Sequence, residues 1–505
     1  MKKKIGIWTI GCICMMACTQ TTEKLKVHII GDSTMADYVE NTTRTRGWGE
    51  MLQEFFIKEA EVVNYARGGR SSRSFCEEGR WDRVKENMSS GDYVLIQFAH
   101  NDEKEGGKDG EDGRGTAPWT TYKSYLEKYV DETRELGGIP VFVTPIIRRY
   151  FTENGTINPK GCHDLSVAPD DSTLNYVRVM KHVARNKGVQ LVDMTASTKA
   201  FAEALGAEQT IKCIYVPTDG THTQATGAAY YAKLAAEGLK EQGILKDYIK
   251  GNTPLVLNPT VLNLQTLYVG DEVVSCFDLT GLNLFPMEGE LKIEAPQGMR
   301  ISDNPHGEKK QSLVYAYQEG KLWNLCLYLH CKPEMPGMID TAVRISYGDT
   351  ERLLPVVAEV KAVSKRTEVS IPIENYNLKE LKDTLQGITT VAESWPAEID
   401  EAQKRYVEIV LPRREKTLVV RSVSFEMEGD ACYRVAYARG KDFYPRTDIG
   451  EEQQVRKGVR KLSYPINTTL KIGEQMHIRL FPWSTEEKNM TFNITSWKVE
   501  GVEIE

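Results

Sequence analysis

The apolar positions between Lys26 and Lys250 alternate between two spacings. Short runs rich in branched residues predict strands that are buried on both faces of a sheet. These runs are Val27–Ile30, Glu61–Tyr65, Tyr93–Phe98, Ile139–Thr144 and Val189–Asp193. Longer runs with helical spacing lie between and after them, at Trp48–Lys58, Trp81–Met88, Thr121–Leu136, Asn175–Lys187 and Ala225–Glu241. This order predicts an α/β domain, an open parallel five-stranded sheet with helices on both sides.

The spacing changes beyond residues 251–260, where the helical periodicity fades. Val423, Phe425 and Met427 alternate with polar residues, and a period of two predicts antiparallel strands with one solvated face. A second break falls at residues 361–367. Because 505 residues are too many for one hydrophobic core, we expect an α/β domain at 19–250 and two all-β sandwich modules at 254–362 and 366–505.

The N-terminus predicts a targeting signal. Three lysines at positions 2–4 precede an apolar stretch at residues 5–17, which is shorter than the roughly 20 residues that span a bilayer. The segment Met15-Met16-Ala17-Cys18 resembles a bacterial lipobox. We expect a lipoprotein signal peptide at 1–18, lipidation of Cys18 and attachment to the bacterial cell envelope, facing the periplasm or the outside. An ordinary secretory peptide, which would leave the protein secreted, is the alternative.

Charge and cysteine spacing narrow the choice of partners. The formal net charge of -7 argues against nucleic acid or an anionic membrane surface as the main partner. Contact with a membrane is therefore expected only through the lipid anchor. The cysteines beyond the signal peptide have no spacing typical of a zinc site, so no metal site is predicted.

Three of the predicted strands are each followed by a residue with a chemical use. Ser33 follows the first strand, Gly69 the second and Asn101 the third. Because the carboxyl ends of parallel strands meet at one edge of the sheet, we expect these residues to lie close together. A serine hydroxyl needs a base to act as a nucleophile. His222 is the predicted base, and Asp219 is predicted to orient its ring, so the sequence indicates a catalytic triad.

Attack on an ester carbonyl creates an oxyanion, which neutral hydrogen-bond donors stabilise. We predict three donors: the backbone N–H groups of Ser33 and Gly69, and the side-chain amide of Asn101. A glycine lets the backbone approach the substrate closely. These groups together predict ester hydrolysis through a serine acyl-enzyme.

Other polar residues near these segments have more than one interpretation. Asp32 and Asp102 are interpreted as braces of turns, and His100 as either a supporting or a merely packed residue. Arg70 and Arg148 are predicted to bind substrate, because guanidinium groups suit the carboxylates of a uronate-bearing polymer. Pairing of these arginines with nearby acidic side chains is the alternative.

The quoted segments resemble the motifs of the SGNH (GDSL-like) hydrolases over residues 26–245. They are Gly31-Asp32-Ser33-Thr34, Gly69-Arg70-Ser71, His100-Asn101-Asp102 and Asp219-Gly220-Thr221-His222. The variants are similar to the rhamnogalacturonan acetylesterase branch, except that Ala99 stands where a glycine is usual. The resemblance implies a flavodoxin-like sheet and a serine carboxylic-ester hydrolase that releases acetate from acetylated pectic polysaccharide with no metal or cofactor. The last β module is similar to accessory modules of bacterial pectin-degrading enzymes.

Two other functions remain open. The first is a lipolytic or thioester hydrolase with the same chemistry, which the polar loops at 103–118 and 150–174 disfavour because such an enzyme needs an apolar acyl channel. The second is a lipid-anchored glycan-binding protein with an inactive hydrolase domain, in which Trp323 or Trp483 would contact sugar. The complete set of catalytic residue types argues against inactivity.

Overall fold

The computed structural model describes residues 24–38, 44–110, 113–168, 172–304, 307–372, 377–379, 382–384, 388–390, 406–429, 431–439, 446–455, 460–483 and 491–504. The predicted signal peptide and Cys18 lie outside these ranges. Within them, no helix combines the length and the apolar character that a bilayer crossing requires.

The N-terminal domain is built on a parallel sheet. Its strands are β1 (Leu25–Ile30), β2 (Ala60–Asn64), β3 (Tyr93–Ile96), β4 (Ile139–Val143) and β5 (Gln190–Val192). They lie in the order β2-β1-β3-β4-β5, and each neighbouring pair is parallel. This is the flavodoxin-like order, so the predicted fold class is confirmed. Its ligand-binding edge is the one at the carboxyl ends of the strands.

Helices cover both faces of this sheet. They are α1 (Trp48–Leu52), α2 (Ser72–Glu77), α3 (Arg80–Asn87), α4 (Lys123–Glu135), α5 (Tyr176–Lys187), α6 (Met194–Leu205), α7 (Ala207–Gln209) and α8 (Ala225–Glu241). Short 3₁₀ turns span Gln53–Phe55, Asp102–Glu105 and Pro159–Cys162, and π turns span Pro118–Tyr122 and Thr210–Ile214. Side chains of α1 and α8 share one apolar core with alternate residues of β1, and those of α4 and α5 share a second core on the opposite face.

The helices differ from the predicted ones in four places, one of which is the short unpredicted α7. The helix predicted at Trp48–Lys58 ends at Leu52 and continues only as a 3₁₀ turn, because Phe56 is extended. Helices α2 and α6 were not predicted. Each is specified by its cap more than by apolar spacing, since Ser71 accepts from the Ser74 N–H and Asp193 from the Ala196 N–H.

The first β module is a sandwich of two sheets. Its strands are β6 (Leu255–Asn258), β7 (Leu262–Tyr268), β8 (Val273–Gly281), β9 (Gly289–Glu294), β10 (Met299–Ser302), β11 (Ser312–Tyr317), β12 (Leu322–Cys331), β13 (Gly337–Tyr347) and β14 (Thr350–Lys361). The sheet orders are β10-β12-β8-β6 and β11-β9-β13-β14-β7. Leu279 and Leu327 from one sheet share a core with Ile293 and Val343 from the other.

The second β module has the same architecture. Its strands are β15 (Arg366–Pro372), β16 (Asn377–Lys379), β17 (Lys382–Thr384), β18 (Ile388–Thr390), β19 (Tyr406–Leu411), β20 (Thr417–Gly429), β21 (Ala431–Ala438), β22 (Arg446–Val455), β23 (Arg460–Leu470), β24 (Met476–Trp483) and β25 (Thr491–Ile504). The sheet orders are β17-β18-β25-β20-β23, with β15 beside β25, and β16-β19-β24-β21-β22. Val423, Phe425 and Met427 of β20 are buried, as their alternation predicts.

Candidate active site

Three loops meet at the carboxyl edge of the sheet. Ser33 lies in the turn after β1, Gly69 in the loop after β2 and Asn101 in the turn after β3, and β1 pairs with both of the other strands. The loops are in close contact. A Cβ atom built on Gly68 would lie 3.7 Å from the Ser33 Cβ. The Asn101 amide donates to the Arg70 carbonyl at 3.1 Å.

A hydroxyl, an imidazole and a carboxylate form a chain of hydrogen bonds at this edge. His222 Nε2 lies 2.8 Å from Ser33 Oγ, although the two residues are 189 positions apart in the sequence. His222 Nδ1 lies 2.6 Å from Asp219 Oδ2. Since Nδ1 faces a carboxylate, it is the protonated nitrogen, and the unprotonated Nε2 faces the serine hydroxyl as an acceptor.

Asp219 is held as an ion. Burial would raise its pKa, but the adjacent His222 ring and its hydrogen bonds lower the pKa below the ordinary range. Asp219 Oδ1 also accepts from the backbone N–H groups of Thr221 at 2.7 Å and His222 at 3.1 Å. The turn is therefore wound around the carboxylate, which sets the direction of the imidazole ring.

The two other predicted oxyanion donors lie on the loops next to the Ser33 turn. Gly69 has φ of 79°, a left-handed conformation that favours glycine, and a Cβ there would meet nothing within 4 Å. The Asn101 amide nitrogen carries two hydrogens, so its bond to Arg70 leaves one that can serve an oxyanion. Ser33 and Asn101 are almost fully buried, with 8% and 3% of their surface exposed.

Asp32 braces the turn that presents Ser33. Its Oδ1 accepts from the Thr34 N–H at 2.9 Å and the Thr34 hydroxyl at 2.7 Å, and its Oδ2 lies 3.1 Å from His100 Nδ1. Burial would raise the pKa of Asp32, but His100 and these hydrogen bonds lower it to about 2. His100 thus has a supporting role, because its ring connects the Asn101 turn to the Ser33 turn.

Asp102 ties the Asn101 turn to the loop that carries Gly69. It accepts from the Ser72 hydroxyl at 2.6 Å, the Ser72 N–H at 3.1 Å and the Thr116 hydroxyl at 2.8 Å. Burial raises the pKa of Asp102 to about 7 despite these donors. The carboxyl group therefore acts as a fully buried connector between two loops of the site.

Arg148 is buried and connects the His100 turn to the turn that carries His222. It is 8% exposed, and its Nε donates to Glu103 at 2.9 Å while its Nη2 donates to the His100 carbonyl at 3.1 Å. A further bond reaches the Thr221 hydroxyl, next to His222. Because its guanidinium is occupied by the protein, these contacts favour a positioning role for Arg148 over the predicted substrate contact.

Arg70 is more accessible than Arg148. Its Nε donates to Glu78 at 2.9 Å and its Nη1 to the Gly68 carbonyl at 2.8 Å, while 25% of its side chain is exposed. The alternative of pairing with a nearby acid therefore applies here too. A contact between Arg70 and a uronate stays a prediction.

Sequence reasoning missed two groups that support the site. His163 Nδ1 lies 2.9 Å from Glu103 Oε2, and the His163 ring stands edge-on to His100 at 4.4 Å. Arg149 donates from Nε to the Asp219 carbonyl at 2.9 Å. No local motif signals these contacts, because each partner lies on a different loop.

The two tryptophans predicted as sugar contacts have no described contact with Ser33, Asp219 or His222. Trp323 is half-buried with Lys321 6.0 Å from its ring centroid, and the side chain of Trp483 lies outside the described residues. Across the described ranges, three or more His, Cys, Asp or Glu side chains do not converge where they could hold a metal ion.

Comparison with known proteins places the α/β domain in a family. The profile of the GDSL-like lipase/acylhydrolase family matches residues 29–239. The rhamnogalacturonan acetylesterase RhgT of Bacillus subtilis (strain 168) is 37% identical over 238 residues, which cover 45% of this chain and 94% of that protein. The probable rhamnogalacturonan acetylesterase YesY of the same organism is 34% identical over 221 residues, covering 43% and 94%. A rhamnogalacturonan acetylesterase of Emericella nidulans is 30% identical over 214 residues, covering 41% and 81%.

These relatives are matched over most of their own length. The family profile spans Ser33, Gly69, Asn101, Asp219 and His222, the residues whose loops meet at the sheet edge. The chain therefore belongs to the GDSL-like lipase/acylhydrolase family.

Proposed function

We propose that this chain is a carbohydrate O-acetylesterase that releases acetate from acetylated pectic polysaccharide of the rhamnogalacturonan type. The observation that carries the proposal is the continuous chain from Ser33 Oγ through His222 to Asp219, with contacts of 2.8 Å and 2.6 Å. The relatives named as rhamnogalacturonan acetylesterases support the choice of substrate. An envelope location with a lipid on Cys18 is part of the proposal and rests on the sequence pattern alone.

The reaction has two halves. Ser33 Oγ attacks the carbonyl carbon of the acetyl ester while His222 Nε2 takes the hydroxyl proton. The N–H groups of Ser33 and Gly69 and the Asn101 amide hold the oxyanion. His222 then gives its proton to the departing sugar oxygen, which leaves an acetyl ester on Ser33. Water, deprotonated by the same imidazole, attacks this ester and releases acetate.

Acetate release from a panel of polymers tests the substrate class. We expect the full chain to release acetate faster from acetylated rhamnogalacturonan than from acetylated xylan or mannan, because the pectic backbone carries uronates that the partly exposed Arg70 can contact. Rhamnogalacturonan that has been chemically deacetylated is the matched control for background. Faster hydrolysis of long-chain nitrophenyl esters than of acetate esters would instead support a lipolytic enzyme. Polymer binding without acetate release would support an inactive glycan-binding protein.

One exposed aromatic ring lies beside the turn from Asp219 to His222, called the catalytic turn below. Among the aromatic side chains described between residues 24 and 250, Tyr150 alone is exposed, with 40% of its surface accessible. Its Cε1 lies 3.0 Å from the position a Cβ on Gly220 would take, so the ring covers the residue after Asp219. Aromatic faces offer a large rigid apolar area, and the C–H face of a pyranose packs on such a surface. These contacts support the proposal that Tyr150 holds a sugar ring beside the turn that carries Asp219 and His222.

Removing this ring is expected to weaken polymer binding. We expect Tyr150→Ala to raise KM for acetylated rhamnogalacturonan by about tenfold, the loss of roughly 1.4 kcal/mol of aromatic contact. The change in KM for 4-nitrophenyl acetate should be smaller, because that ester has no sugar ring. Tyr150→Phe is the control, since it keeps the ring and loses only the hydroxyl. Equal KM values for the polymer in Tyr150→Ala and the unchanged chain would remove Tyr150 from the substrate site.

A further inference from the structure

Helix α8 begins directly after the catalytic turn, and its first N–H groups need acceptors from outside the helix. It starts at Ala225, three positions after His222. The side chain of Gln224, at the N-cap, makes no capping bond. Its amide donates instead to the carbonyls of Lys212 and Tyr215. The start of α8 therefore lacks a cap from its own segment.

The first β module supplies this cap. Asn324 Oδ1 accepts from the Thr226 N–H at 3.1 Å, in the first turn of α8. The Asn324 N–H in turn donates to the Thr226 hydroxyl at 2.8 Å. Asn324 Nδ2 donates to the Cys213 carbonyl at 3.1 Å. One side chain, 98 positions away in the sequence, thus joins the helix and the segment before the catalytic turn.

The local fold of β12 presents Asn324 for this contact. The register between β12 and β8 shifts between Leu322 and Leu325, which marks a bulge. Asn324 has φ of 50°, a left-handed conformation that is uncommon for a residue with a Cβ. Bulges re-aim a side chain out of the regular ladder, and asparagine tolerates this backbone region better than most residues. The strained backbone at this position is what aims Asn324 at α8.

A second contact from the same module supports Thr223, the residue that follows His222. Thr223 and Arg46 are joined by two hydrogen bonds, from the Arg46 N–H to the Thr223 carbonyl at 2.8 Å and from the Thr223 hydroxyl to the Arg46 carbonyl at 2.7 Å. The Arg46 side chain forms an ion pair with Asp278 of β8, and both side chains are about 95% buried, with 4% and 5% exposed. Asp278 thus fixes the backbone that borders the catalytic histidine.

The two domains also share an apolar core. Val256 of β6 and Leu282, which follows β8, belong to the same buried cluster as Val27 and Ala228 of the α/β domain. A sandwich that merely hung from a linker would not extend the core of its neighbour. The catalytic domain and the first β module are therefore packed as one unit.

We infer that the first β module positions the catalytic histidine, with Asn324 as the cap of the following helix and Asp278 as the partner of Arg46. The inference rests on the proposed role of His222 as the base. Asn324 and Asp278 are positioning residues, since neither touches Ser33 or His222 in the contacts described. The working unit for ester hydrolysis then extends through the sandwich at 254–362 and is not confined to the α/β domain.

The variant Asn324→Gly tests the capping bonds of the Asn324 side chain alone. Glycine adopts a φ of 50° without strain and keeps the backbone N–H to Thr226, so the substitution removes only the side-chain bonds. We expect kcat for 4-nitrophenyl acetate to fall about tenfold with KM unchanged, because small displacements of a catalytic group are costly. Asn324→Asp keeps the acceptor for the Thr226 N–H, and we expect it to restore most of kcat.

Arg352→Gln is the matched control at the same interface. Arg352 of β14 donates to Glu54 at 2.8 Å, so its loss also weakens the contact between the module and the α/β domain, but on a strand that does not reach the His222 segment. We expect an unchanged kcat for this variant, measured well below the unfolding temperature of each protein. An Asn324→Gly variant with the kcat of the unchanged chain would overturn the inference. An equal loss of kcat in Arg352→Gln would do the same, since it would indicate general loosening.

The small ester keeps this test separate from the proposed substrate. If the chain releases no acetate from any polymer but cleaves 4-nitrophenyl acetate, the polysaccharide proposal fails and the comparison of kcat values still decides on Asn324. If Ser33→Ala keeps full activity on the small ester, Ser33 is not the nucleophile of that reaction. The role of His222 as the base that activates Ser33 then fails, and both proposals are overturned.

Discussion

Replacing Ser33 by alanine is expected to lower kcat for acetate release by about 10⁵–10⁶-fold, as in other triads that lose their nucleophile. Ser33 is 8% exposed and its Oγ contacts His222 Nε2 at 2.8 Å, so the substitution removes the attacking atom and little else. KM should change little, because the hydroxyl contributes mainly to the transition state. The measurement is the rate of acetate release from acetylated rhamnogalacturonan.

Ser197→Ala is a suitable control for Ser33→Ala. Ser197 lies on α6, where its hydroxyl bonds to the Asp193 carbonyl, and it takes no part in the loops of the site. We expect its kcat to stay within about twofold of the unchanged chain. A Ser33→Ala variant that retains a substantial part of the activity would contradict the acyl-enzyme.

Replacing Asp219 by asparagine should be nearly as damaging, with kcat about 10⁴-fold lower. The amide is neutral, so it cannot stabilise the imidazolium that forms when His222 takes the serine proton. It can also present an N–H to Nδ1 and so select the wrong tautomer. The 2.6 Å contact and the lowered pKa of Asp219 indicate that the native group is a carboxylate throughout the neutral range.

The direction of the pKa shift predicts the pH range in which Asp219 loses its charge. Its folded-state pKa is lowered, so its ionised form persists down to a pH below the ordinary carboxyl range. A fall in activity between neutral and mildly acidic pH is therefore not caused by protonation of Asp219. Asp193→Asn, at the cap of α6, is the control for Asp219→Asn, because asparagine caps as well as aspartate does. In the contacts described, Asp193 pairs with Lys181 and Thr144 and does not reach Ser33, His222 or Asp219.

The double variant Ser33→Ala/Asp219→Asn decides whether the two residues act together. If they form one catalytic unit, the double variant should be no slower than Ser33→Ala alone, since the aspartate has nothing left to support. Multiplied losses would mean that Asp219 contributes to the rate independently of Ser33.

The proposed catalytic groups can be found from the sequence because each follows a recognisable signal. Ser33, Gly69 and Asn101 come directly after apolar runs, and parallel strands bring such positions to one edge of a sheet. Asp219 and His222 lie within one turn of each other, a local spacing that needs no knowledge of the rest of the fold. The structure brings Ser33 Oγ within hydrogen-bond distance of the imidazole.

The role of the arginines could not be predicted from the residues around them in the sequence. Arg148 has the sequence setting of a substrate-binding residue, since it follows a strand of the sheet. Its partner Glu103 lies 45 positions away in a polar loop, and only the folded chain shows the pair to be buried. Burial is a property of the whole packing arrangement, and it converts a candidate ligand contact into an internal connection.

For the β modules, too, the sequence predicts the strands but not the contacts that they make with the α/β domain. Alternating apolar residues are enough to indicate sandwiches beyond residue 250, because a period of two reflects the pleat of a strand. Nothing in that pattern indicates that Asn324 caps α8 or that Asp278 meets Arg46, 232 positions away. Those contacts depend on a bulge in β12 and on how two domains meet. Periodicity describes which face of an element is buried, but only the assembled structure decides what lies against that face.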